Sequence, residues 1–223
     1  MTLLRKHRLG FYYYINSSVS ETESLELSCN TTDISKTSPG NTKPKRIIFL
    51  DRDGVINIDS EEFIKNWSEF IFCEGSLEAI RLLTISNFVP VVISNQSGIN
   101  RGILTLEHLA EITVNMINEI EKAGGIIGAV CYCPHEPEEN CLCRKPQTKM
   151  FEFAVNSINA GVENTYFLGD REGDVKAALN FGVTPILIDD SLDTHEIKSL
   201  DTKIPGFICN SLLTAVKKII LTS

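Results

Sequence analysis

Residues 51–57 read DRDGVIN, directly after the apolar run 47–50. Asp51 and Asp53 stand two apart, so on an extended backbone both carboxylates point to one side. Two such charges repel unless a cation or a shared proton reconciles them. A carboxylate is already ionised at neutral pH and can attack phosphorus without a base to activate it. Asp51 therefore suits a phosphoryl acceptor. Asp53, its pKa expected to rise beside that developing charge, suits the acid that protonates a leaving alkoxide and the base that activates water. Mg²⁺, which takes hard oxygen ligands, fits such a pair.

A lone D-x-D is common in solvated turns, so other positions must carry the argument. Ser94-Asn95 follows a second apolar run, Gly169-Asp170 a third, and Asp174 comes four residues later. Asp170 can complete a Mg²⁺ site with Asp51 and Asp53; Asp174 can orient this loop or reach the ion through water. Gly54 frees the backbone for a sharp turn. Lys145, in Cys143-Arg144-Lys145-Pro146, offers a cation to offset carboxylate–phosphate repulsion.

The stretch around it reads CYCPHEPEENCLCRKP, and four of the seven cysteines fall at 131, 133, 141 and 143. Cys133, His135, Cys141 and Cys143 form C-x-H-x5-C-x-C, the donor set of a closed tetrahedral Zn²⁺ site. Zinc would then be structural, pinning an irregular loop so that Arg144 and Lys145 aim at the substrate. Cys131 reads as a small buried hydrophobe, although a register shift would exchange it for Cys133.

The elements that must position these residues alternate strictly. Strands are predicted at 47–50, 89–93, 126–132, 165–168, 185–188 and 207–209. Helices are predicted at 76–86, 105–123, 148–160, 173–181 and 211–221, with Ser76, Thr105 and Ser211 as N-caps and Gly124, Gly161 and Gly182 as stops. Alternation of this kind implies an α/β domain built on a doubly wound parallel sheet. Ligands in such sheets bind beyond the carboxyl ends of strands, where the polar motifs stand.

Residues 15–45 are rich in Ser, Thr, Asn and Lys without hydrophobic period, so 1–45 is read as a disordered or loosely attached extension and 46–223 as one domain, with a zinc loop at 131–145. No apolar window approaches the ~20 residues of a membrane span. The N-terminus makes a poor signal peptide, so a cytoplasmic protein without membrane partners is expected. The net charge is −8, with residues 1–45 carrying six Lys+Arg against four Asp+Glu and the remainder 15 against 25. That argues against nucleic-acid binding. A phosphorylated small molecule would have to be held locally by a metal and a few placed cations. A monomer is the working expectation.

Assembled in order, DRDGVIN, SNQSGINRG (94–102), RKP (144–146) and GDREGD (169–174) resemble the haloacid dehalogenase superfamily of phosphatases. The CPH…C-x-C-RKP loop is similar to that of its D-glycero-D-manno-heptose 1,7-bisphosphate 7-phosphatases and histidinol-phosphatases. The resemblance implies a Rossmann-like fold without a large cap, Asp51 as nucleophile and Mg²⁺ ligand, and Asp53 as acid/base and ligand through its carbonyl. It further implies Asp170 as Mg²⁺ ligand, Lys145 as phosphate stabiliser, and Ser94, Asn95 and Gln96 as phosphate-binding residues. Arg144 and Arg171 would be the substrate-side cations. Specificity would come from loops 57–63, 96–102 and the zinc loop. Two departures stand out: IDSEEFIK follows DRDGVIN where many heptose members carry a histidine or Gly-Tyr, and the span from His135 to Cys141 is short.

The leading expectation is hydrolysis of the 7-phosphate of a heptose bisphosphate through an aspartyl phosphate. Histidinol phosphate is the nearest rival, with Glu61-Glu62 compatible with its cationic amine, whereas paired arginines favour a second anionic group. A non-catalytic zinc module is the reading from another class.

Overall fold

The computed structural model describes residues 4–19, 46–158, 160–193, 197–200 and 206–222. A nine-stranded sheet runs β1-β2-β5-β4-β3-β6-β7-β9-β8. Its parallel centre consists of β3 (Arg46–Leu50), β4 (Phe88–Asn95), β5 (Ala129–Cys133), β6 (Tyr166–Gly169), β7 (Thr184–Ile188) and β9 (Phe207–Cys209). Antiparallel strands finish both edges: β1 (Arg5–Lys6) and β2 (Tyr12–Ile15) beside β5, and β8 (Ile197–Ser199) beside β9.

The central strands are short and apolar because both faces are covered. Helices α1 (Ser76–Ile85), α2 (Leu106–Lys122) and α5 (Leu212–Lys218) pack on one face. Helices α3 (Lys149–Ile158) and α4 (Glu172–Phe181) pack on the other, where Phe151 meets Phe49 and Phe167 edge-on at 5.0 Å and lies against Phe181 at 5.1 Å.

The chain leaves β3 for β4 and β5 in one direction, then returns to β6, β7 and β9 in the other. The order therefore reverses between β3 and β6, the place where open α/β sheets form a ligand crevice. Asp51 and Asp170 are the residues that follow those two strands.

Thr105 and Ser211 cap their helices by accepting from the amides of His108 and Thr214, and Gly182 ends α4 at φ 85°. Ser76 differs. The cap of α1 is Gly75 at φ 75°, and Ser76 is the buried first helical residue. At Gly75 a Cβ would meet Leu213 Cδ2 at 2.7 Å, so α5 packs where a capping side chain would have stood.

The expectation of a loose extension over 1–45 does not hold for residues 4–19. They form a hairpin on β5, with Tyr12 opposite Tyr132 and Ile15 opposite Ala129, and Leu4, Phe11 and Val19 are buried. Its four-residue strand offers too short a period to be recognised, and β5 supplies the partner that makes it stable. The rest of that expectation, residues 20–45, lies outside the described residues. No described helix is long and apolar enough to cross a membrane.

Replacing Phe151, which is fully buried, by alanine is expected to lower stability by about 3–5 kcal/mol in urea unfolding. A loss below about 1 kcal/mol would mean that its ring cluster contributes little beyond transfer of a small apolar group.

Candidate active site

Asp51 continues β3, its amide donating to Leu168 O at 2.8 Å, so its side chain leaves the sheet at a fixed point. Lys145 Nζ lies 2.7 Å from Asp51 Oδ2 and 2.7 Å from Asp174 Oδ1, and both partners and the lysine are buried. Asp51, Asp170 and Asp174 each bring a carboxylate oxygen within 4.8 Å of the others. Burial pushes the Asp51 carboxyl up to about 7, with Asp174 and Asp53 adding to the rise and Lys145 opposing it. Burial likewise raises Asp170 to about 6, reinforced by Asp174. Asp170 Oδ1 is buried and has no hydrogen-bond partner among the described residues.

Hard oxygen donors, converging charge and an unsatisfied buried oxygen fit a divalent cation such as Mg²⁺. At Gly54, φ 75°, a Cβ would come within 2.6 Å of Asp170 Cγ, so only glycine lets the first loop pass this carboxylate. Gly169 stands in the same relation to Asp174.

Asp53 departs from expectation. Its carboxylate faces Arg52, whose Nη2 donates at 2.8 and 3.0 Å, and it accepts from Gln96 Nε2 at 2.6 Å and Asn57 Nδ2 at 2.9 Å. Burial raises Asp53, but the charge of Arg52 and these three donors outweigh it, and the carboxyl is held below the usual range. The raised carboxyls are Asp51 and Asp170 instead. Among side chains, the third member of the carboxylate group is Asp174 rather than Asp53, which leaves Asp53 its carbonyl as a route to a metal.

Nothing in the sequence marks Arg52 as a site residue. It is 0% exposed and lies over the Tyr132 ring at 5.7 Å. A charged residue between two others reads as a surface spacer, and nothing in DRDGVIN says that this one folds inward. The final asparagine of the motif is explained by the same geometry, since Asn57 joins Asp53 to the carbonyl of Ile58.

Ser94 and Asn95, at the end of β4, and Gln96 just after it line a cavity of about 600 Å³ with Asp51, Arg144 and Arg171. Their bonding is not uniform. Ser94 Oγ accepts from Gln96 Nε2 at 3.2 Å. Gln96 is engaged with Asp53 and Arg52. Asn95 Oδ1 accepts from the Lys145 amide at 3.0 Å, and its Nδ2 donates to the Lys145 carbonyl at 3.3 Å. Asn95 thus holds the backbone of the lysine that faces Asp51.

Cys133, His135, Cys141 and Cys143 come together as predicted from their spacing. Sulfur–sulfur separations run 3.4, 3.5 and 3.6 Å, and Cys143 Sγ is 3.2 Å from His135 Nδ1. A tetrahedron of thiolates about 2.3 Å from zinc has edges of roughly 3.8 Å, so the donors match that ion in type and spacing. Cys143 is lowered to about 6, first by its hydrogen bond with Cys133 and also by His135, whereas the same partnership pushes Cys133 far up. Holding three thiolates together requires a cation. Cys131 is buried outside this group, paired in register with Tyr13 and Ile93.

The loop then reaches the first site through bonds. The Arg144 amide donates to Cys141 Sγ at 3.3 Å, and its Nη1 donates to His135 O at 3.0 Å. Arg171, on the far rim, pairs with Asp59 at 2.5 Å.

The HAD-hydrolase-like family model matches residues 142–215. A D-glycero-beta-D-manno-heptose-1,7-bisphosphate 7-phosphatase of Pseudomonas putida is 39% identical over 143 residues, 64% of this chain and 82% of that protein. The enzyme of the same name from Helicobacter pylori is 35% identical over 136 residues, 60% of this chain and 78% of that one. A crystal structure of the D,D-heptose 1,7-bisphosphate phosphatase of B. bronchiseptica, complexed with magnesium and phosphate, superposes with a TM-score of 0.70 at 31% identity, covering 80% of this chain and 99% of that one.

Arg52→Met removes the charge that Asp53 faces and leaves its largely buried carboxylate with only Gln96 and Asn57 as partners. Stability should fall by about 3–5 kcal/mol in chemical denaturation, as when one member of a buried ion pair is deleted. A loss below about 1 kcal/mol would mean that Gln96 and Asn57 suffice to hold Asp53.

Proposed function

The chain belongs to the haloacid dehalogenase superfamily of phosphatases, in the branch that holds the heptose-1,7-bisphosphate 7-phosphatases, and on that premise we propose that it hydrolyses the 7-phosphate of D-glycero-D-manno-heptose 1,7-bisphosphate. What carries the reading is the meeting of Asp51, Asp170, Asp174 and Lys145 at the sheet's switch point, with Arg144 and Arg171 in the lining of the same cavity.

Asp51, Asp170 and Asp174, with the Asp53 carbonyl, are the groups that would hold Mg²⁺. That ion would offset the repulsion between clustered carboxylates and an incoming phosphate. Asp51 attacks phosphorus, forming a carboxyl oxygen–phosphorus bond as the bond to the sugar oxygen breaks, and the leaving alkoxide takes a proton from Asp53. Asp53 then accepts a proton from water, which attacks the aspartyl phosphate; phosphate leaves and Asp51 is regenerated. In the resting protein Asp53 is held ionised, ready for the second half. Approach of the anionic phosphate raises its proton affinity for the first. Lys145 gives Asp51 its cationic neighbour and is placed to accompany the transferring phosphoryl group.

Arg171 bears on substrate choice. Its guanidinium meets Asp59 on the rim, so an anion arriving there can take the place of that carboxylate. A second phosphate can compete for this position, and the cationic amine of histidinol phosphate cannot. Cys133, His135, Cys141 and Cys143 are assigned to structural zinc, which holds the segment bearing Arg144 and Lys145.

The test is kcat/KM for heptose bisphosphate, heptose 7-phosphate and histidinol phosphate in magnesium buffer. The bisphosphate should lead by about tenfold or more, the worth of one added charge-assisted hydrogen bond. A lead for histidinol phosphate would overturn the substrate assignment. Asp51→Asn should cut phosphate release at least about a thousandfold, as loss of a covalent nucleophile does; undiminished release would remove Asp51 from that role. Cys141→Ser is expected to lose zinc by elemental analysis and to lower kcat/KM, and wild-type kinetics in zinc-free protein would refute a positioning role for the ion.

A further inference from the structure

The N-terminal hairpin runs against the Cys133–Cys143 segment at a point that the phosphatase chemistry does not use. Strand β2 pairs with β5 from Ile15 opposite Ala129 to Tyr12 opposite Tyr132, and one more step of that register brings Phe11 level with Cys133. Phe11 is 0% exposed, stacked on His7 at 4.4 Å and edge-on to Phe153 of α3 at 5.3 Å. The turn is closed by Gly10 N donating to His7 O and His7 N donating to Phe11 O, each at 2.8 Å.

The tip of this turn lies on two of the four candidate metal ligands. Leu9 O is 4.0 Å from Cys143 Sγ. Gly10 has φ 86°, and a Cβ there would lie 3.0 Å from both Cε1 and Nε2 of His135. That is closer than ordinary van der Waals contact, so the backbone of Gly10 rests on the imidazole with no room for a side chain. Cys133 and Cys143 are fully buried beneath this arrangement.

We propose that residues 7–11 form the outer wall of the Cys133–His135–Cys141–Cys143 metal site and set how fast its ion exchanges with solvent. The inference rests on the zinc assignment above. A thiolate–imidazole site loses its ion when a competing ligand reaches a donor or when a donor swings away, and the shell around the site governs both. Gly10 blocks the His135 ring from turning outward, and Phe11 anchors Gly10 in the core.

The experiment follows zinc release from the full-length protein under excess EDTA with a chromogenic zinc indicator, for wild type, Gly10→Ala and Gly10→Val. Gly182→Ala serves as control, because Gly182 has φ 85° but nothing within 4 Å of a Cβ, so it carries the strain without the contact. Release should quicken from wild type to alanine to valine, reaching about tenfold or more, while the control stays at the wild-type rate. Equal rates for wild type and both Gly10 variants would overturn the proposal, as would equal acceleration in the control.

A second measurement needs no variant. Gly10 rests on the ring of His135, so an ion that fixes the ring also steadies the hairpin, and the amides of Tyr12–Ile15 should exchange hydrogen faster in metal-stripped than in zinc-loaded wild type. Unchanged protection would count against the wall. Wild-type protein that neither carries nor takes up zinc would instead overturn the zinc assignment itself, and this inference with it.

Discussion

One lysine between two buried carboxylates is the constraint around which the site is built. Lys145 lies 2.7 Å from Asp51 and 2.7 Å from Asp174, with little water to screen any of them. Burying an ammonium is costly unless it is closely paired. The two aspartates are each costly too, and burial, with repulsion from Asp174 and Asp53, drives Asp51 up to about 7 even against Lys145. Each group makes the others tolerable. A cation brought to Asp51, Asp170 and Asp174 would relieve the carboxylate excess that remains, and Asp170 Oδ1, without a hydrogen-bond partner among the described residues, marks where the need is greatest.

Such an arrangement works only if three loops arrive in register, and each is held by something other than the charges. Asp51 is fixed by the β3–β6 ladder. Asp174 lies in the first turn of α4, where its carboxylate also accepts from the Arg171 amide, which ties helix start to site. Lys145 comes from irregular chain. Its backbone is held from one side by Asn95 and its neighbour Arg144 from the other by Cys141 and His135. The cysteine cluster thus bears on the chemistry although it takes no part in it, and the N-terminal hairpin bears on the cluster.

Asp53 shows how local pairing can reverse an expectation drawn from proximity. Two carboxylates near a developing charge should both titrate upward, yet Arg52 turns inward and takes one of them. The rise falls on Asp170 and on Asp51, whose cation is shared with Asp174. At the rim the same logic operates in the open: Arg171 and Asp59 pair across the mouth of an otherwise acidic body, and the exposure of the arginine keeps the pairing exchangeable.

Much of the fold was legible because parallel strands buried on both faces must be apolar throughout, and helices covering them must carry caps and a periodic face. The six central strands and five helices stand within a few residues of their predicted positions. The Cys133–His135–Cys141–Cys143 group was legible too, since ligands close in sequence are close in space almost whatever the chain does around them. So was the gathering of Asp51, Ser94 and Asp170, which follows from strand ends sharing one edge. What the tertiary structure alone decided are contacts between residues with no sequence pattern joining them. These are the hairpin Tyr12–Ile15 finding β5 over a hundred residues away, Asn95 holding Lys145, Leu213 excluding a side chain at Gly75, and Arg52 pointing inward. A short strand or a lone charge has no periodicity of its own. Its conformation is settled by the partner that desolvates it, and that partner exists only once the chain has folded.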